Sequence, residues 1–230
     1  MDAPAGPTGA GGDPPDDLAP VDRVPLGRAL PPDWSALLAV LDEARARGFV
    51  GGGRTLDALA EHARGFVDPI AEATRVLDLG SGGGVPGLVI AALRPDAIVT
   101  LLDASVSRTD WLRRVVGRLG WGERVQVVTG RAEELAHDDD WRGSQDAVVA
   151  RSFAPPMVAA EVASALLRVG GRLVVSEPPT HDPTRWPAAA LTELGLRHGP
   201  WPDPRYAVLD AIASPRTEVP RPRVVRGRTS

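Results

Sequence analysis

An apolar run gives way to a glycine-rich turn at Val76-Leu-Asp-Leu-Gly-Ser-Gly-Gly-Gly-Val-Pro-Gly87. The run ends at Leu79, and the glycines that follow allow positive φ angles and a close approach of the backbone to a ligand. A helix is expected behind the turn, with Pro86 near its start, and its free N–H groups would face the same ligand. The stretch therefore predicts a buried strand, a ligand-binding turn and a helix in succession.

An acidic residue ends the next apolar run along the chain. This run, Ile98–Leu102, is followed by Asp103, which lies 23 residues beyond Gly80. In a doubly wound sheet such a carboxylate lies beside the glycine turn, where it can accept hydrogen bonds from two ribose hydroxyls. The turn and the acid together predict a ligand that contains a nucleoside.

Two classes of nucleoside ligand fit this arrangement. Gly82, Gly84 and Gly87 have the spacing of a dinucleotide-binding turn, a pattern of low specificity on its own. Asp78 and Gly80, followed by the first two of those glycines, instead suit S-adenosyl-L-methionine. That ligand carries a positive sulfur and an ammonium and has no pyrophosphate, so acids near the turn are favourable. A glycine turn without a nucleoside ligand is the remaining alternative.

Apolar runs alternate with helical segments along the rest of the chain. Short runs rich in Val, Ile and Leu are typical of parallel strands buried on both faces. They lie at 75–79, 98–102, 125–128, 147–150 and 172–175. Helices are predicted at 86–93, 105–119, 131–136 and 155–168, and an antiparallel strand of a closing hairpin at 207–212. The alternation predicts an α/β fold with a doubly wound, mostly parallel, seven-stranded Rossmann-like sheet.

Composition divides the chain into three parts. Residues 1–30 are rich in Pro, Gly, Ala and Asp and are predicted to be a disordered tail. Residues 31–215 are predicted to form one domain, with N-terminal helices at 33–67, capped by Asp33, and a core at 74–215. Residues 216–230 hold five Arg and one acid, and they predict an Arg-rich C-terminal tail.

Composition also excludes several classes of site. The chain has no Cys, which excludes disulfides, iron–sulfur clusters and Cys-ligated zinc. All 26 basic residues are Arg, which excludes a Walker P-loop and a Schiff-base enzyme. The four His, at 62, 137, 181 and 198, are scattered, so no metal site is expected. No apolar run approaches the length of a membrane span, and we expect a cytoplasmic protein with no membrane partner.

Four motifs, in order, resemble those of the bacterial small-subunit ribosomal RNA guanine-N7 methyltransferases, the glucose-inhibited division protein B family. They are Asp78–Gly87 with its Pro-Gly ending, Leu101-Leu-Asp103 followed by Arg108, Trp111, Leu112 and Arg113, Gly130-Arg-Ala-Glu-Glu134, and Ala150-Arg-Ser-Phe-Ala154. The resemblance runs from about Arg75 to Ser176 and covers nearly half of the chain. It implies a methyltransferase fold that uses S-adenosylmethionine to methylate N7 of a guanine. The implied partner is ribosomal RNA or the small ribosomal subunit. We expect the protein to be a monomer.

The resemblance also implies roles for individual residues. Asp103 would hold the ribose, while Ala132 and Glu133 would flank the adenine. Gly80 and Val85 would line the donor site, and Arg151 would border the place where the donor meets the base. The full set of implied donor-site residues is Asp78, Gly80, Ser81, Gly82, Gly84, Val85, Asp103, Ala132, Glu133 and Arg151.

None of these side chains is assigned as a certain catalytic residue. Three of them also have structural interpretations. Val85 would be a core residue, Glu133 a first-turn helix acid that the helix dipole favours, and Arg151 an ion-pair partner.

The sequence departs from the family pattern at positions expected to touch RNA or a polar substrate. Gly48-Phe49-Val50 replaces Asn-Leu-Thr, and Glu61-His62 replaces Arg-His, with His62 expected to be a packed or capping residue. Ser107 replaces a Lys, and Glu177-Pro178 replaces Lys-Gly. RNA would then be held by the Arg residues within 108–118 and by the C-terminal tail. Alternatively, the chain methylates a small molecule or a protein, or it binds the donor without catalysis.

Overall fold

The computed structural model describes residues 34–51, 55–179 and 182–215. The two predicted tails, the N-cap at Asp33 and the side chain of His181 lie outside these residues. The helices are α1 (Trp34–Ala46), α2 (Leu56–Arg64), α3 (Gly87–Leu93), α4 (Val106–Arg118), α5 (Ala132–Leu135), α6 (Pro156–Leu166) and α7 (Ala188–Glu193). The strands are β1 (Arg75–Leu79), β2 (Ile98–Asp103), β3 (Val125–Thr129), β4 (Gln145–Ala150), β5 (Leu167–Ser176), β6 (Leu196–His198) and β7 (Tyr206–Ala211). Short 3-10 turns lie at Asp68–Ile70 and Pro183–Arg185.

The strands form one seven-stranded sheet in the order β3-β2-β1-β4-β5-β7-β6. Strands β1 to β5 are parallel to one another, whereas β7 is antiparallel to both β5 and β6. The predicted doubly wound, mostly parallel α/β fold is therefore confirmed. The chain builds outward from β1 to β3 and then crosses back to β4, so the strand order reverses between β1 and β4. Ligands of such sheets bind at the carboxyl ends of the strands beside this reversal.

Two apolar layers cover the two faces of the sheet. One layer contains buried residues of α1, α2, α3 and α4, and the other contains buried residues of α6 and α7. Val76 packs in the first layer and Leu77 in the second, because successive side chains of a strand point to opposite faces. This two-sided burial explains the unbroken apolar runs of the sequence.

Several boundaries differ from the prediction. The helix predicted at 155–168 ends at Leu166, and the next strand begins at Leu167 instead of Arg172. The additional strand residues include Gly170, which has a φ of +85°, and the pairing of β4 with β5 shifts register between Gln145 and Ala147. Strand β6 and helix α7 have three and six residues, too few to produce a detectable hydrophobic period.

The N-terminal helices pack beside β7 through a cluster of aromatic residues. His62 is buried and stacks on the ring of Tyr206 with a centroid separation of 5.3 Å. The Tyr206 hydroxyl donates a hydrogen bond to the backbone oxygen of His62, and Phe66 packs edge-on against both rings. His62 therefore has the packed environment that the sequence predicts.

Among the helices in the described ranges, none combines the length and the apolar character needed to cross a bilayer. Within the same residues, no group of three or more His, Cys, Asp or Glu side chains is arranged to bind a metal ion.

Candidate functional site

A cleft with a volume of about 160 Å³ opens at the carboxyl ends of β1 to β4. The residues that line it all follow or end these four strands. They are Gly80, Leu102, Asp103, Ala104, Gly130, Arg131, Ala132, Glu133, Phe153 and Ala154. The cleft lies at the reversal of strand order, where α/β sheets bind ligands.

The glycine turn forms one wall of the cleft. Gly80, Gly82 and Gly84 have φ angles of +68°, +55° and +84°, which side chains rarely adopt. A Cβ atom added at Gly80 would lie 2.7 Å from Cδ2 of Phe153. The backbone at Gly80 is thus packed directly against an aromatic ring, and only a glycine fits there.

Asp103 is a buried carboxylate that the surrounding backbone holds in place. Its Oδ2 accepts a hydrogen bond from the N–H of Gly82 at 2.9 Å, and its Oδ1 accepts one from the N–H of Ser105 at 2.8 Å. The guanidinium of Arg108 lies 3.6 Å from Oδ2. Each carboxylate oxygen can accept a second hydrogen bond, so Asp103 retains the capacity to bind hydroxyl groups in the cleft.

Asp78 lies beneath the glycine turn and does not line the cleft. Its Oδ2 accepts a hydrogen bond from the N–H of Gly87 at 3.0 Å, whereas its Oδ1 has no hydrogen-bond partner among the described residues. Burial raises the pKa of the Asp78 carboxyl to about 7, against the lowering effects of that N–H and of the positive charge of Arg151. A Cβ at Gly87 would lie 2.6 Å from Oδ2, so this contact also requires glycine.

The far wall of the cleft comes from the segment after β3. Ala132 and Glu133 begin α5 and line the cleft, and Glu133 is paired with Arg131 at 3.4 Å. Both predicted adenine-flanking residues are therefore at the cleft. The place of Glu133 in the first turn also agrees with the helix-acid interpretation.

The remaining predicted residues support the turn from below or from the side. Ser81 and Val85 are buried, and the Val85 side chain packs in the apolar layer instead of lining the cleft. Nε of Arg151 donates a hydrogen bond to the backbone oxygen of Val85 at 3.4 Å. Gly82 and Gly84 belong to the turn but do not line the cleft. The cleft therefore brings together Gly80, Asp103, Ala132 and Glu133 of the predicted set.

Phe153 belongs to the cleft wall and is not among the predicted site residues. Its ring lines the cleft because Ser152 adopts a φ of +56°, which turns the chain after β4. No sequence signal marks a left-handed conformation at a serine. The other missed residues, such as Ala104 and Arg131, adjoin predicted ones and were within reach of the same motifs.

Several of the positions that depart from the family pattern have structural contacts. The ring of Phe49 packs edge-on against Trp111 at 5.6 Å, and a Cβ at Gly83 would lie 2.4 Å from Cγ2 of Val50. The segment 48–50 therefore packs on the glycine turn. At the other departures, Glu61 pairs with Arg64, and Glu177 is almost fully buried.

The buried Glu177 carboxylate binds two residues of the segment before α7. It accepts a hydrogen bond from Nε1 of Trp186 at 3.0 Å and forms an ion pair with Arg185. The acid at this position thus anchors a neighbouring loop.

Comparisons with solved structures concern the fold. An SAH-bound methyltransferase from Podospora anserina superposes with a TM-score of 0.54 at 17% identity, over 76% of this chain and 87% of that one. A protein from Corynebacterium glutamicum superposes with a TM-score of 0.52 at 19% identity, over 76% of this chain and 90% of that one.

Comparisons of sequence identify closer relatives. Two proteins named ribosomal RNA small subunit methyltransferase G, from Rubrobacter xylanophilus and Symbiobacterium thermophilum, are each 39% identical to this chain. The matches cover 56% and 62% of this chain but 50% and 58% of those relatives, so the chain spans about half of their length. A protein of the same name from Salinispora tropica is 33% identical over 92% of this chain and 90% of its own length.

A family model described as rRNA small subunit methyltransferase G matches residues 61–177. These 117 of 230 residues contain the glycine turn, Asp103 and the whole cleft. Together with the Salinispora relative, this match shows that the chain belongs to the rRNA small subunit methyltransferase G family.

Proposed function

We propose that this chain is an S-adenosylmethionine-dependent methyltransferase that methylates N7 of a guanine in small-subunit ribosomal RNA. The observation that carries the proposal is the pairing of Gly80 with Asp103 in one cleft, in a chain that belongs to this family. A ribosomal substrate would place the reaction in the cytoplasm.

Three features of the site fit this donor. Gly80 lines the cleft and carries no side chain, so a ligand in the cleft can approach its backbone. The Asp103 carboxylate is fixed by two backbone N–H groups and keeps free acceptor capacity for ribose hydroxyls. Asp78 offers an unsatisfied carboxylate oxygen near the turn, which suits a positively charged ligand better than a pyrophosphate.

The roles of the other residues follow from their placement. Ala132 would lie against the adenine, and Glu133 beside it would accept hydrogen bonds from the ring. Arg151, held by the backbone oxygen of Val85, would border the place where donor and base meet. Ser81, Gly82 and Gly84 would shape the turn.

The chemistry demands little of the side chains. When bound, S-adenosylmethionine supplies a methyl group to the lone pair at N7 of guanine. Because this nitrogen carries no proton in the substrate, no side chain must act as a general base. The protein's contribution is then to orient the base and to shape the local electrostatic field. This fits a cleft in which the sequence motifs identify no acid–base pair.

We also propose the organisation that the sequence suggests, with one domain at 31–215 between two tails and a monomer as the active form. The continuous seven-stranded sheet, whose strands run from residue 75 to residue 211, supports the single domain.

Methyl transfer to ribosomal subunits tests the proposed function. The purified protein is incubated with S-adenosylmethionine and small subunits that lack N7-methylguanine, and the RNA is digested and analysed by mass spectrometry of nucleosides. We expect a new N7-methylguanosine peak that is lost in the Asp103→Ala variant.

Donor binding separates the alternatives. A protein that binds S-adenosylmethionine in calorimetry but modifies no ribosomal substrate would favour a small-molecule or protein substrate, or donor binding without catalysis. A protein that does not bind the donor would overturn the proposed function altogether.

A further inference from the structure

The surface of α4 is more basic than that of any other helix in the described ranges. It contains Arg108, Arg113, Arg114 and Arg118 but a single acid, Asp110. The other described helices have at most one Arg each, and the chain as a whole has a net charge of −4. Positive charges concentrated on one helix of an acidic protein are typical of a surface that binds a polyanion.

The apolar side of α4 is packed, which directs most of its arginines to the outside. Trp111, Leu112, Val115 and Val116 are buried against β2 and β3. Arg113, Arg114 and Arg118 are exposed on the opposite side of the helix. The helical repeat therefore converts the sequence into one apolar and one basic face.

The basic face continues across the seam between α1 and α4. Glu43 in α1 accepts hydrogen bonds from Arg118 at 2.7 Å and from Arg47 at 3.0 Å, so two guanidinium groups share one carboxylate. The hydrogen bonds from Arg118 and Trp111 lower the pKa of Glu43 to about 2, which keeps it ionised. Two positive charges around one negative charge leave the seam with a net positive charge.

Arg114 is the least compensated member of this face. It is exposed and forms no ion pair with any residue that the structure describes. Arg113 is bonded to Asp110 and Thr129, and Arg108 is directed toward Asp103. A guanidinium without a protein partner is available for bidentate binding of a phosphate group.

The basic face is rigidly connected to the cleft. Helix α4 begins three residues after Asp103, and Arg108 in its first turn pairs with that carboxylate. Trp111 donates a hydrogen bond to Glu43 at 2.8 Å and contacts Phe49, whose backbone oxygen lies against Gly82. A polyanion bound on this face would therefore be held at a fixed position relative to the donor site.

We infer that the outward face of α4, extended by Arg47, binds the phosphate backbone of the RNA substrate. The inference rests on the proposed function for the identity of the polyanion. It assigns the RNA contact to Arg residues that this chain has, and not to positions 61, 107 and 177, where basic residues of the family pattern are missing.

The test measures how RNA binding depends on salt. The probe is a transcript of small-subunit ribosomal RNA, and its affinity is measured between 50 and 200 mM salt, as this range resolves the slope of affinity against salt. Neutralising a residue that contacts one phosphate should lower this slope by about 0.7 to 0.9. We expect that decrease for Arg114→Gln and about twice that decrease for the Arg114→Gln/Arg118→Gln double variant.

Two control variants make the test specific. Arg114→Lys keeps the charge and should keep the slope, which a purely structural role would not require. Arg197→Gln removes an exposed Arg from β6, at the edge of the sheet opposite β3, and should leave the slope unchanged. All variants should bind S-adenosylmethionine with the affinity of the parent protein, which shows that the cleft is intact.

The possible results separate this inference from the proposed function. If the double variant binds RNA with the parent's slope while the parent methylates ribosomal RNA, the inference is wrong and the function stands. If the slope falls as expected but no ribosomal substrate is methylated, the basic face binds RNA and the proposed reaction is wrong.

Discussion

The acidic residues of the proposed donor site and the acidic residues at the departures from the family pattern differ in their hydrogen-bond and ion-pair partners. On the donor side, Asp78 and Asp103 are held by backbone N–H groups and keep unused acceptor capacity. At the positions where the family has basic residues, Glu61 and Glu177 bind neighbouring side chains of the protein itself. Side chains that keep free bonding capacity are prepared for a ligand, whereas side chains bonded to each other stabilise the fold. The difference fits the proposed donor site at Asp103, and it gives Glu61 and Glu177 structural partners in place of RNA contacts.

The largest expected effect on the donor side is that of Asp103→Ala. The substitution removes charge-assisted hydrogen bonding to the ribose that is worth roughly 1.5 to 3 kcal/mol in total. Donor affinity should therefore fall about 10- to 150-fold. Titration calorimetry with S-adenosylmethionine measures this, and an unchanged affinity would break the assignment of the donor side.

A pair of glycine substitutions separates donor binding from backbone strain. Gly80 and Gly120 have the same φ of +68°, but a Cβ at Gly80 would meet Phe153, whereas a Cβ at Gly120 meets nothing within 4 Å. Overpacking typically costs about 1 to 3 kcal/mol of folding stability. Because Phe153 lines the cleft and would have to shift, Gly80→Ala should also weaken donor binding. Gly120→Ala should lower the free energy of unfolding, measured in urea, because of the same backbone strain, and it should leave donor affinity unchanged. Equal donor affinities in the two variants would contradict the close approach at Gly80.

Burial of Asp78 should make the stability of the ligand-free protein depend on pH. Its folded pKa of about 7 lies above the ordinary aspartate pKa of 3.8, so its contribution to stability is fully present below pH 4 and is lost as pH rises toward 7. The loss is at most about 1.4 kcal/mol per pH unit in this window. Asp78→Asn should remove this pH dependence from urea unfolding curves.

The same variant should bind the positively charged donor more weakly above pH 7, where the parent carboxylate is ionised. A parent and variant with parallel stability curves between pH 4 and 7 would show that Asp78 titrates normally.

The smallest expected effect is that of a substitution at Glu61, one of the positions where the family has a basic residue. Glu61 is exposed and its ion pair with Arg64 is a surface pair, so Glu61→Arg should change the free energy of unfolding by less than about 0.5 kcal/mol. If RNA passes near α2, the new charge should steepen the salt dependence of RNA binding by about 0.7 to 0.9. Donor affinity should not change. An unaltered slope would place the RNA path away from α2 and sharpen the distinction between the two sides.

The sequence predicted the central part of the fold better than its periphery. Strands such as β1 and β2 are buried on both faces, and this produces unbroken apolar runs with sharp ends. Strand β6 is an edge strand of three residues, and it is defined by its pairing with β7 and not by its own pattern. Tertiary contacts thus determine what short segments become, and no local signal reports them.

In the candidate site, too, the sequence predicts the positions of backbone segments better than the directions of side chains. Gly80 and Asp103 could be placed at one cleft because each ends a parallel strand, and the topology brings those ends together. The directions of Arg151 and Phe153 could not be predicted, because they depend on the left-handed conformation of Ser152. The Val85 side chain packs in the apolar layer, as its core interpretation predicts, and the role at the donor site that the resemblance implies for Val85 stays a prediction.

A crystal structure of the protein with S-adenosylhomocysteine tests the account most directly. The account predicts that the ribose hydroxyls lie within hydrogen-bond distance of the Asp103 carboxylate, with the adenine against Ala132 and the amino acid end toward Asp78. A nucleoside bound away from Asp103, or a cleft that closes over Phe153 and excludes the ligand, would contradict the claim that this edge of the sheet is the donor site.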